Sequence, residues 1–287
     1  MGRLLRCIRW TDVLILEGTP VLGVAFSFGL TTAPNLTRII LFLGAAFLLL
    51  VHIFTLNDWA DFQHSKADTS ARTIEVPCEA VSPQLLLVFS ALCLVVGLLL
   101  LAFLGTRLFV LGITVAALGI LYSHPRLNAK SMPILSTLLH LLGGFLHFLF
   151  GYVLFSPIDL RGVLIGLFFG VTFAAGHPVQ EVRDFHEDRE VGAKTNAIVF
   201  GARPNFFAGL ILFAIQYAYL FVLAFCKVVP NFLALLAIIC FLVHAFWSIA
   251  ALRSGLTSES ISRFQNRYRM LYALLGLAML ASALTRQ

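Results

Sequence analysis

Charged residues are scarce in this chain. Of its 287 residues only 12% are Asp, Glu, Lys or Arg, whereas 60% are hydrophobic. Soluble domains carry about 25% charged residues on average, because their surfaces have to be hydrated. This shortage excludes an ordinary soluble domain and leaves no polar stretch long enough to form a separate one. The sequence therefore predicts a single membrane-embedded domain over residues 1–287.

Other absences remove further classes of function. The five cysteines do not have the spacing of a zinc knuckle. The formal net charge is +6, but the basic residues are spread along the chain among acids and are not interleaved with aromatic residues, so no nucleic-acid partner is expected. No small-residue cleavage site follows the first apolar run, which is therefore predicted to be a helix of the mature protein and not a signal peptide.

Apolar runs long enough to cross a bilayer recur along the whole sequence. A helix needs about 20 apolar residues to cross a hydrocarbon core about 30 Å thick. The candidate spans lie roughly at 13–31, 38–55, 84–104, 108–122, 134–155, 161–177, 205–226, 230–251 and 268–284. An all-α, multi-pass membrane protein with nine transmembrane helices is predicted.

The positions of the basic residues predict the orientation of these helices. If the N-terminus is cytoplasmic, few of the 20 Lys and Arg residues lie outside. Those predicted to lie outside are Arg38, Arg107, Arg161, Lys227 and Arg286. Because cytoplasmic loops carry the excess of Lys and Arg, this orientation is favoured. The two long polar stretches, 57–83 and 178–204, then both face the cytoplasm.

The first polar stretch begins with carboxylate and amide side chains at helical spacing. It reads Asn-Asp-Trp-Ala-Asp from Asn57 to Asp61. If the preceding helix continues through it, Asn57 and Asp61 share one face at i, i+4, and Asp58 and Asp61 pair at i, i+3. Their oxygen atoms are then expected to project together from the cytoplasmic end of a helix.

The second polar stretch repeats this pattern with Gln180, Asp184 and Asp188 at successive i, i+4 steps. Like charges at this spacing repel each other, so the arrangement gains nothing unless a cation lies between them. Mg²⁺ binds one or two carboxylates, keeps water ligands and shares phosphate oxygens. Two such segments facing each other are predicted to hold one diphosphate through bridging Mg²⁺ ions.

A transporter or channel is the alternative from a different class. Transport would place ionisable residues inside the spans, where they act as relays near the middle of the bilayer. The interiors of the predicted spans are nearly free of charge, and the acids cluster at one membrane face. The pattern therefore favours an enzyme.

Both acidic segments match signature motifs of one known family. Asn57, Asp58 and Asp61 match the motif NDxxDxxxD, with Ser65 in the place of its last Asp. The motif R-D-x-x-x-D-x-x-x-G-x-x-T is matched in full, by Arg183, Asp184, Asp188, Gly192 and Thr195. These motifs resemble those of the UbiA superfamily of intramembrane prenyltransferases, and the resemblance implies a UbiA-type bundle of nine helices with cytoplasmic Asp-rich segments at 57–72 and 180–195.

The resemblance also implies roles for individual residues. The expected metal ligands are Asn57, Asp58, Asp61, Asp68, Gln180, Asp184 and Asp188, with Asp68 standing in for the Asp missing at Ser65. The residues expected to contact the diphosphate are Arg72, Tyr122, Lys130 and Lys194. Arg72 begins a counterpart of the family's R-P-I stretch, and Lys130 closes a stretch from Tyr122 that resembles its Y-S-x-P followed by Lys. Asp61, Lys130 and Asp184 are expected to be catalytic.

The activity implied is Mg²⁺-dependent transfer of an isoprenyl group from a prenyl diphosphate to a small aromatic or lipid-soluble acceptor within the membrane. The superfamily also contains phosphoribosyl transferases and terpene cyclases, in which a double bond of the isoprenyl chain itself captures the cation. Cyclisation of the prenyl diphosphate alone is therefore kept as the alternative reaction. The identity of the acceptor and the length of the isoprenyl chain are left open.

Overall fold

The structure, a computed structural model, describes residues 2–27, 35–67 and 81–285, and within these ranges the protein is predominantly helical and has no strands. The α-helices are α1 (Gly2–Arg6), α2 (Trp10–Ser27), α3 (Leu36–Ala67), α4 (Pro83–Leu104), α5 (Thr106–Ser123), α6 (Leu135–Tyr152), α7 (Leu160–Arg183), α8 (Phe185–Glu190), α9 (Asn196–Phe200), α10 (Ala202–Phe225), α11 (Phe232–Arg253) and α12 (Ser258–Thr285). A 3₁₀ turn, Ala129–Ser131, lies between α5 and α6. The predicted all-α class is confirmed.

Seven of the helices in these described ranges are long and apolar enough to cross a membrane, namely α3, α4, α5, α6, α7, α10 and α11. The chain is thus an integral, multi-pass membrane protein. The predicted first and ninth spans correspond to α2 and α12, which are not among these seven. The first predicted span includes residues 28–31, which lie outside the described residues, and α12 begins at Ser258 with a polar segment. The count of nine crossings therefore stays a prediction.

Local chemistry sets several of the helix ends. The hydroxyl of Ser82 accepts a hydrogen bond from the backbone N–H of Leu85 (3.3 Å) at the start of α4, and Pro83 occupies the first turn, where no partner for its nitrogen is needed. Asp159 caps α7 in the same way through the N–H of Gly162 (2.7 Å). Gly105 alone separates α4 from α5, and its φ of +139° is accessible to glycine but not to other residues.

The chain divides into two compact units. The first comprises residues 1–130 with 150–156, and the second comprises 131–149 with 157–287. In the first unit α3 packs closely on α4, and its buried core includes Phe42 and Phe150, whose ring centroids are 4.9 Å apart. A Cβ on Gly97 would lie 3.3 Å from the carbonyl oxygen of Ala45, so a small residue lets these two backbones approach.

Glycines also permit close helix packing in the second unit. A Cβ on Gly144 of α6 would lie 2.7 Å from the carbonyl oxygen of Phe169, and one on Gly170 of α7 would lie 2.7 Å from that of Leu141. α7 packs in turn against α10, where a Cβ on Gly209 would be 3.2 Å from a backbone oxygen of α7. The second unit is therefore built around α7, the helix that leads into the second acidic segment.

Candidate active site

The first acidic segment lies in the last turns of α3. The helix continues without interruption from the apolar span through Asn57 and Asp61 to Ala67. The side-chain amide of Asn57 donates to Oδ2 of Asp61 (3.1 Å), so the two share one helix face as their spacing predicts. Ser123, the last residue of α5, donates its hydroxyl to Oδ1 of Asn57 (3.3 Å). These contacts fix the Asn57 amide beside the Asp61 carboxylate.

Lys130 joins this group from the 3₁₀ turn after α5. Its Nζ forms an ion pair with Oδ1 of Asp61. The Lys130 side chain is 20% exposed and that of Asp61 is 28% exposed, so neither is sealed inside the protein. An ammonium group carries three donors, and the pair with Asp61 uses one of them. Lys130 can therefore contact an anion while Asp61 holds it in place.

Asp58 has different surroundings from its neighbours in the motif. It is only 1% exposed and forms an ion pair with Arg9, whose guanidinium also lies 5.6 Å from the ring centroid of Phe54. The second oxygen of Asp58 is buried and has no hydrogen-bond partner among the described residues. The pairing of Arg9 with Asp58 spans 49 residues, so the sequence carries no local signal for it.

Other predicted residues of the first unit are less well defined. Tyr122 lies in the last turn of α5, half-buried and next to Ser123. Asp68 and Arg72 lie outside the described residues, as does the side chain of Ser65. Whether Asp68 substitutes for the missing carboxylate at Ser65 therefore stays a prediction.

The second acidic segment spans a break between two helices. α7 ends at Arg183, Asp184 is its C-cap residue, and α8 begins at Phe185. The backbone N–H of Asp184 still donates to the carbonyl of Gln180 (3.1 Å), and that of Asp188 to the carbonyl of Asp184 (2.9 Å). Backbone hydrogen bonds of the i→i+4 type thus connect these three residues across the break, although the residues do not lie on one continuous helix.

A bidentate ion pair holds the Asp184 carboxylate. Arg183 donates from Nε to Oδ1 (2.6 Å) and from Nη2 to Oδ2 (2.8 Å), while its Nη1 donates to Oε1 of Gln265 on α12 (2.9 Å). Such a fork orients both groups and balances the carboxylate charge. Asp188 accepts a hydrogen bond from the hydroxyl of Thr195 (3.1 Å), which ties α8 to the residue just before α9.

Gln180 and Lys194 are exposed on either side of these contacts. Gln180 is in the last turn of α7, and Lys194 is in the loop between α8 and α9. Both side chains lie on the surface of the second unit.

A buried carboxylate lies beside the second segment, and sequence reasoning gave it no role. Glu181 is 5% exposed, and its Oε1 accepts from the side-chain amide (2.9 Å) and the backbone N–H (3.3 Å) of Asn196. Its Oε2 accepts from the side-chain amide of Asn205 (2.9 Å), and Nε2 of His177 lies 3.6 Å from Oε1. We call these four residues the Glu181 network.

The Glu181 network connects three helices of the second unit. Glu181 and His177 belong to α7, Asn196 to α9 and Asn205 to α10. Asn196 also accepts from the backbone N–H of Ile134 (2.6 Å), just before α6. The network therefore fixes both ends of the segment that carries Asp184 and Asp188. The available signal was an acid in the last turn of α7, directly after a long apolar run, where an unpaired buried charge is costly.

The donor set fits Mg²⁺ better than a metal held by protein alone. Among the residues that the structure describes, no three His, Cys, Asp or Glu side chains group closely enough to hold a metal ion. The first segment offers the oxygens of Asn57 and Asp61, and the second those of Asp184 and Asp188. Mg²⁺ is usually bound by one or two carboxylates, with water and phosphate oxygens completing its octahedron. The small number of oxygen ligands in each segment is therefore compatible with Mg²⁺.

Comparisons with known proteins agree on one family. The family model described as the UbiA prenyltransferase family matches residues 19–284. No curated protein sequence matches the chain. A solved structure of a study on digeranylgeranylglyceryl phosphate synthase aligns with a TM-score of 0.74 at 17% identity, covering 99% of this chain and 98% of that one.

Two archaeal structures have the same fold. A UbiA homologue from Aeropyrum pernix K1 aligns with a TM-score of 0.73 at 18% identity, covering 94% of this chain and 98% of that one. A UbiA homologue from Archaeoglobus fulgidus bound to GPP and Mg²⁺ aligns with a TM-score of 0.68 at 19% identity, covering 97% and 99%. Another structure of the Archaeoglobus fulgidus protein holds DMAPP and Mg²⁺.

Proposed function

Because the chain belongs to the UbiA prenyltransferase family, we propose that it transfers an isoprenyl group from a prenyl diphosphate to a small lipid-soluble acceptor within the membrane. The observation that carries this proposal is the grouping of Asn57, Asp61 and Lys130 at the end of a membrane-spanning helix. It places oxygen ligands for a cation beside an ammonium donor for an anion. The family match extends over 19–284, so we treat residues 1–287 as one catalytic domain.

The principal proposed Mg²⁺ ligands are Asn57 and Asp61 in the first acidic segment and Asp184 and Asp188 in the second. Bound Mg²⁺ supplies positive charge that stabilises the diphosphate as a leaving group. Asp58 and Gln180 are proposed as secondary ligands; Asp58 is already paired with Arg9 in a buried position.

Lys130 is the proposed electrostatic catalyst among the residues of the chain. When the bond between the isoprenyl carbon and the bridging oxygen breaks, negative charge develops on that oxygen. A positioned ammonium donor stabilises this charge without having to reorganise, which lowers the barrier. Asp61 orients Lys130 through their ion pair. Tyr122, Lys194 and Arg72 are proposed as further contacts to the diphosphate.

The remaining chemistry depends on excluding water. Loss of the diphosphate leaves an allylic cation, which water would capture in an open site. The apolar membrane-spanning helices exclude water, so the acceptor is the available nucleophile. A new bond forms between the acceptor and the isoprenyl carbon, and the acceptor loses a proton. In the alternative reaction, cyclisation, a double bond of the isoprenyl chain takes the place of the acceptor.

An acceptor-dependence assay tests the reaction. The purified protein in nanodiscs is incubated with Mg²⁺ and prenyl diphosphates of several lengths, with and without aromatic or quinone-precursor acceptors. Transfer predicts a prenylated acceptor and little product in its absence. Hydrocarbon or alcohol products that form without any acceptor would favour cyclisation.

Point variants test the assignment of residues. Asp61→Asn and Asp184→Asn are expected to lose nearly all turnover while remaining folded, because each loses a metal ligand. Glu190→Gln is the matched control, since Glu190 is an exposed acid in α8 of the same segment. Turnover close to that of the control in either Asp variant would contradict the proposed metal site.

The orientation of the chain is a separate proposal. We propose that the N-terminus and both acidic segments face the cytoplasm, from the distribution of Lys and Arg between the predicted spans. Labelling of single cysteines at Glu190 and Arg161 with a membrane-impermeant reagent tests it. Labelling of the Glu190 position in intact cells would contradict it.

A further inference from the structure

A small pocket lies in the second unit, where α11 ends and α12 begins. Its volume is about 190 Å³. The residues that line it are Trp247, Ala250, Ala251, Ser254, Ser260, Arg263, Phe264 and Arg267. None of them belongs to the acidic segments or to the Glu181 network. The proposed reaction leaves this pocket without a role.

The pocket is positively charged. Arg263 and Arg267 lie four residues apart on α12, so they share one face of the helix and repel each other. Glu259 lies 3.4 Å from Arg263, but both side chains are exposed, by 79% and 62%, so this pair is weak. Arg267 lies over the ring of Trp247, 5.8 Å from its centroid. No acidic residue is among those that line the pocket, so two guanidinium groups face it without a full counter-charge.

The surroundings of the pocket are those of a membrane interface. The apolar run of α11 ends at Arg253, and the first turns of α12 are polar. Trp247 lies at this boundary, the level at which tryptophan is enriched in membrane proteins. The same helix ends expose large apolar side chains, with Phe246 70% and Met270 66% exposed. A ligand here would meet cationic donors and an apolar surface together.

We propose that this pocket binds the phosphate group of an anionic glycerophospholipid. Guanidinium groups bind phosphate oxygens through paired N–H donors, which a lysine could not supply in the same geometry. The acyl chains of the lipid would lie along the exposed apolar side chains of α11 and α12. A free phosphate shares the headgroup chemistry but leaves the apolar surface uncovered, so the lipid is the favoured source.

Native mass spectrometry tests the proposal on the intact protein. Phosphatidylglycerol and phosphatidylcholine are titrated separately onto detergent-purified protein, and inorganic phosphate is added as a competitor. We expect the wild-type protein to bind phosphatidylglycerol in preference to phosphatidylcholine. The double variant Arg263→Gln with Arg267→Gln is expected to bind phosphatidylglycerol at least about tenfold more weakly, because two charge-assisted contacts are lost. Arg253→Gln is the matched control, since Arg253 is exposed nearby and does not line the pocket.

Three outcomes would overturn the proposal. In the first, the double variant retains phosphatidylglycerol as well as the control does. In the second, the wild-type protein binds the two lipids equally. In the third, millimolar inorganic phosphate displaces the lipid, which would identify a free anion as the ligand. If the double variant does not fold, Arg267→Lys keeps the charge, loses the fork, and should bind with intermediate affinity. The readout does not depend on prenyl transfer, so it stands whether or not the proposed reaction is correct.

Discussion

Replacing Glu181 with alanine removes the acceptor at the centre of the Glu181 network. The carboxylate accepts two hydrogen bonds from Asn196 and one from Asn205, at 2.9 to 3.3 Å. All three donors belong to buried residues, so water cannot replace the lost oxygens without entering the protein. A buried donor left unsatisfied costs about 1–3 kcal/mol.

The total cost of removing the Glu181 carboxylate is expected at the lower end of the sum of three such penalties. The Asn196 amide retains Ser136 and Thr137 as acceptors, and the Asn205 amide retains the carbonyl of Pro178 (3.0 Å). Removing a buried negative charge also recovers part of its desolvation cost. We therefore expect Glu181→Ala to destabilise the protein by about 3 kcal/mol. Glu181→Gln keeps the shape and one acceptor oxygen, and we expect it to cost about 1 kcal/mol.

Thermal unfolding in detergent measures the order of these effects. The Tm is expected to fall in the order control, Glu181→Gln, Glu181→Ala. The control is Glu187→Ala, an exposed acid six residues further along the chain. Surface changes of this kind usually stay within about 0.5 kcal/mol.

A second measurement separates a positioning role from a purely structural one. Because the network holds both ends of the segment 184–195, Glu181→Ala should raise amide exchange in that segment and leave α11 unchanged. It should also raise the KM for prenyl diphosphate more than it lowers kcat, with partial rescue in Glu181→Gln. A Tm equal to that of the control, or exchange raised uniformly over the chain, would refute this reasoning.

Two further predictions concern packing and charge. Gly144→Ala should lower the Tm and cost about 1–3 kcal/mol of stability, because its Cβ would lie 2.7 Å from the carbonyl oxygen of Phe169. Gly143→Ala is the control and should leave the Tm unchanged, because there is open space around the new Cβ. Equal Tm values for the two variants would show that the helices move apart freely. Arg9→Ala should cost about 3–5 kcal/mol, because it leaves the buried Asp58 carboxylate unpaired. Adding Asp58→Asn to that variant should recover most of the loss, and no recovery would assign the effect to packing of Arg9 itself.

The helical parts of the site could be predicted from the sequence because helix periodicity is local. Asn57 and Asp61 meet at i, i+4 wherever the helix continues, and α3 does continue through them. Asp184 and Asp188 keep their spacing for the same reason, even where α7 gives way to α8. The break between α7 and α8 was not predicted, because neither Arg183 nor Asp184 is a glycine or a proline.

Helix length was harder to predict where the helix leaves the membrane. Hydropathy marks the part of a helix that lies in lipid and gives no signal for a polar continuation. For example, α12 begins at Ser258, ten residues before the apolar run predicted at 268–284. The pocket lined by Arg263 and Arg267 lies on that polar part, for which hydropathy gives no signal.

The sequence by itself determined that this protein is embedded in a membrane, that it is all-α and that its acidic residues have helical spacing, because composition and local periodicity suffice for each. Only the tertiary structure decided which charges pair. Lys130 meets Asp61 across 69 residues, and Arg9 meets Asp58 across 49. Glu181 finds its partners on two other helices. Such pairs depend on how helices pack side by side, and a single sequence carries no periodic signal for that.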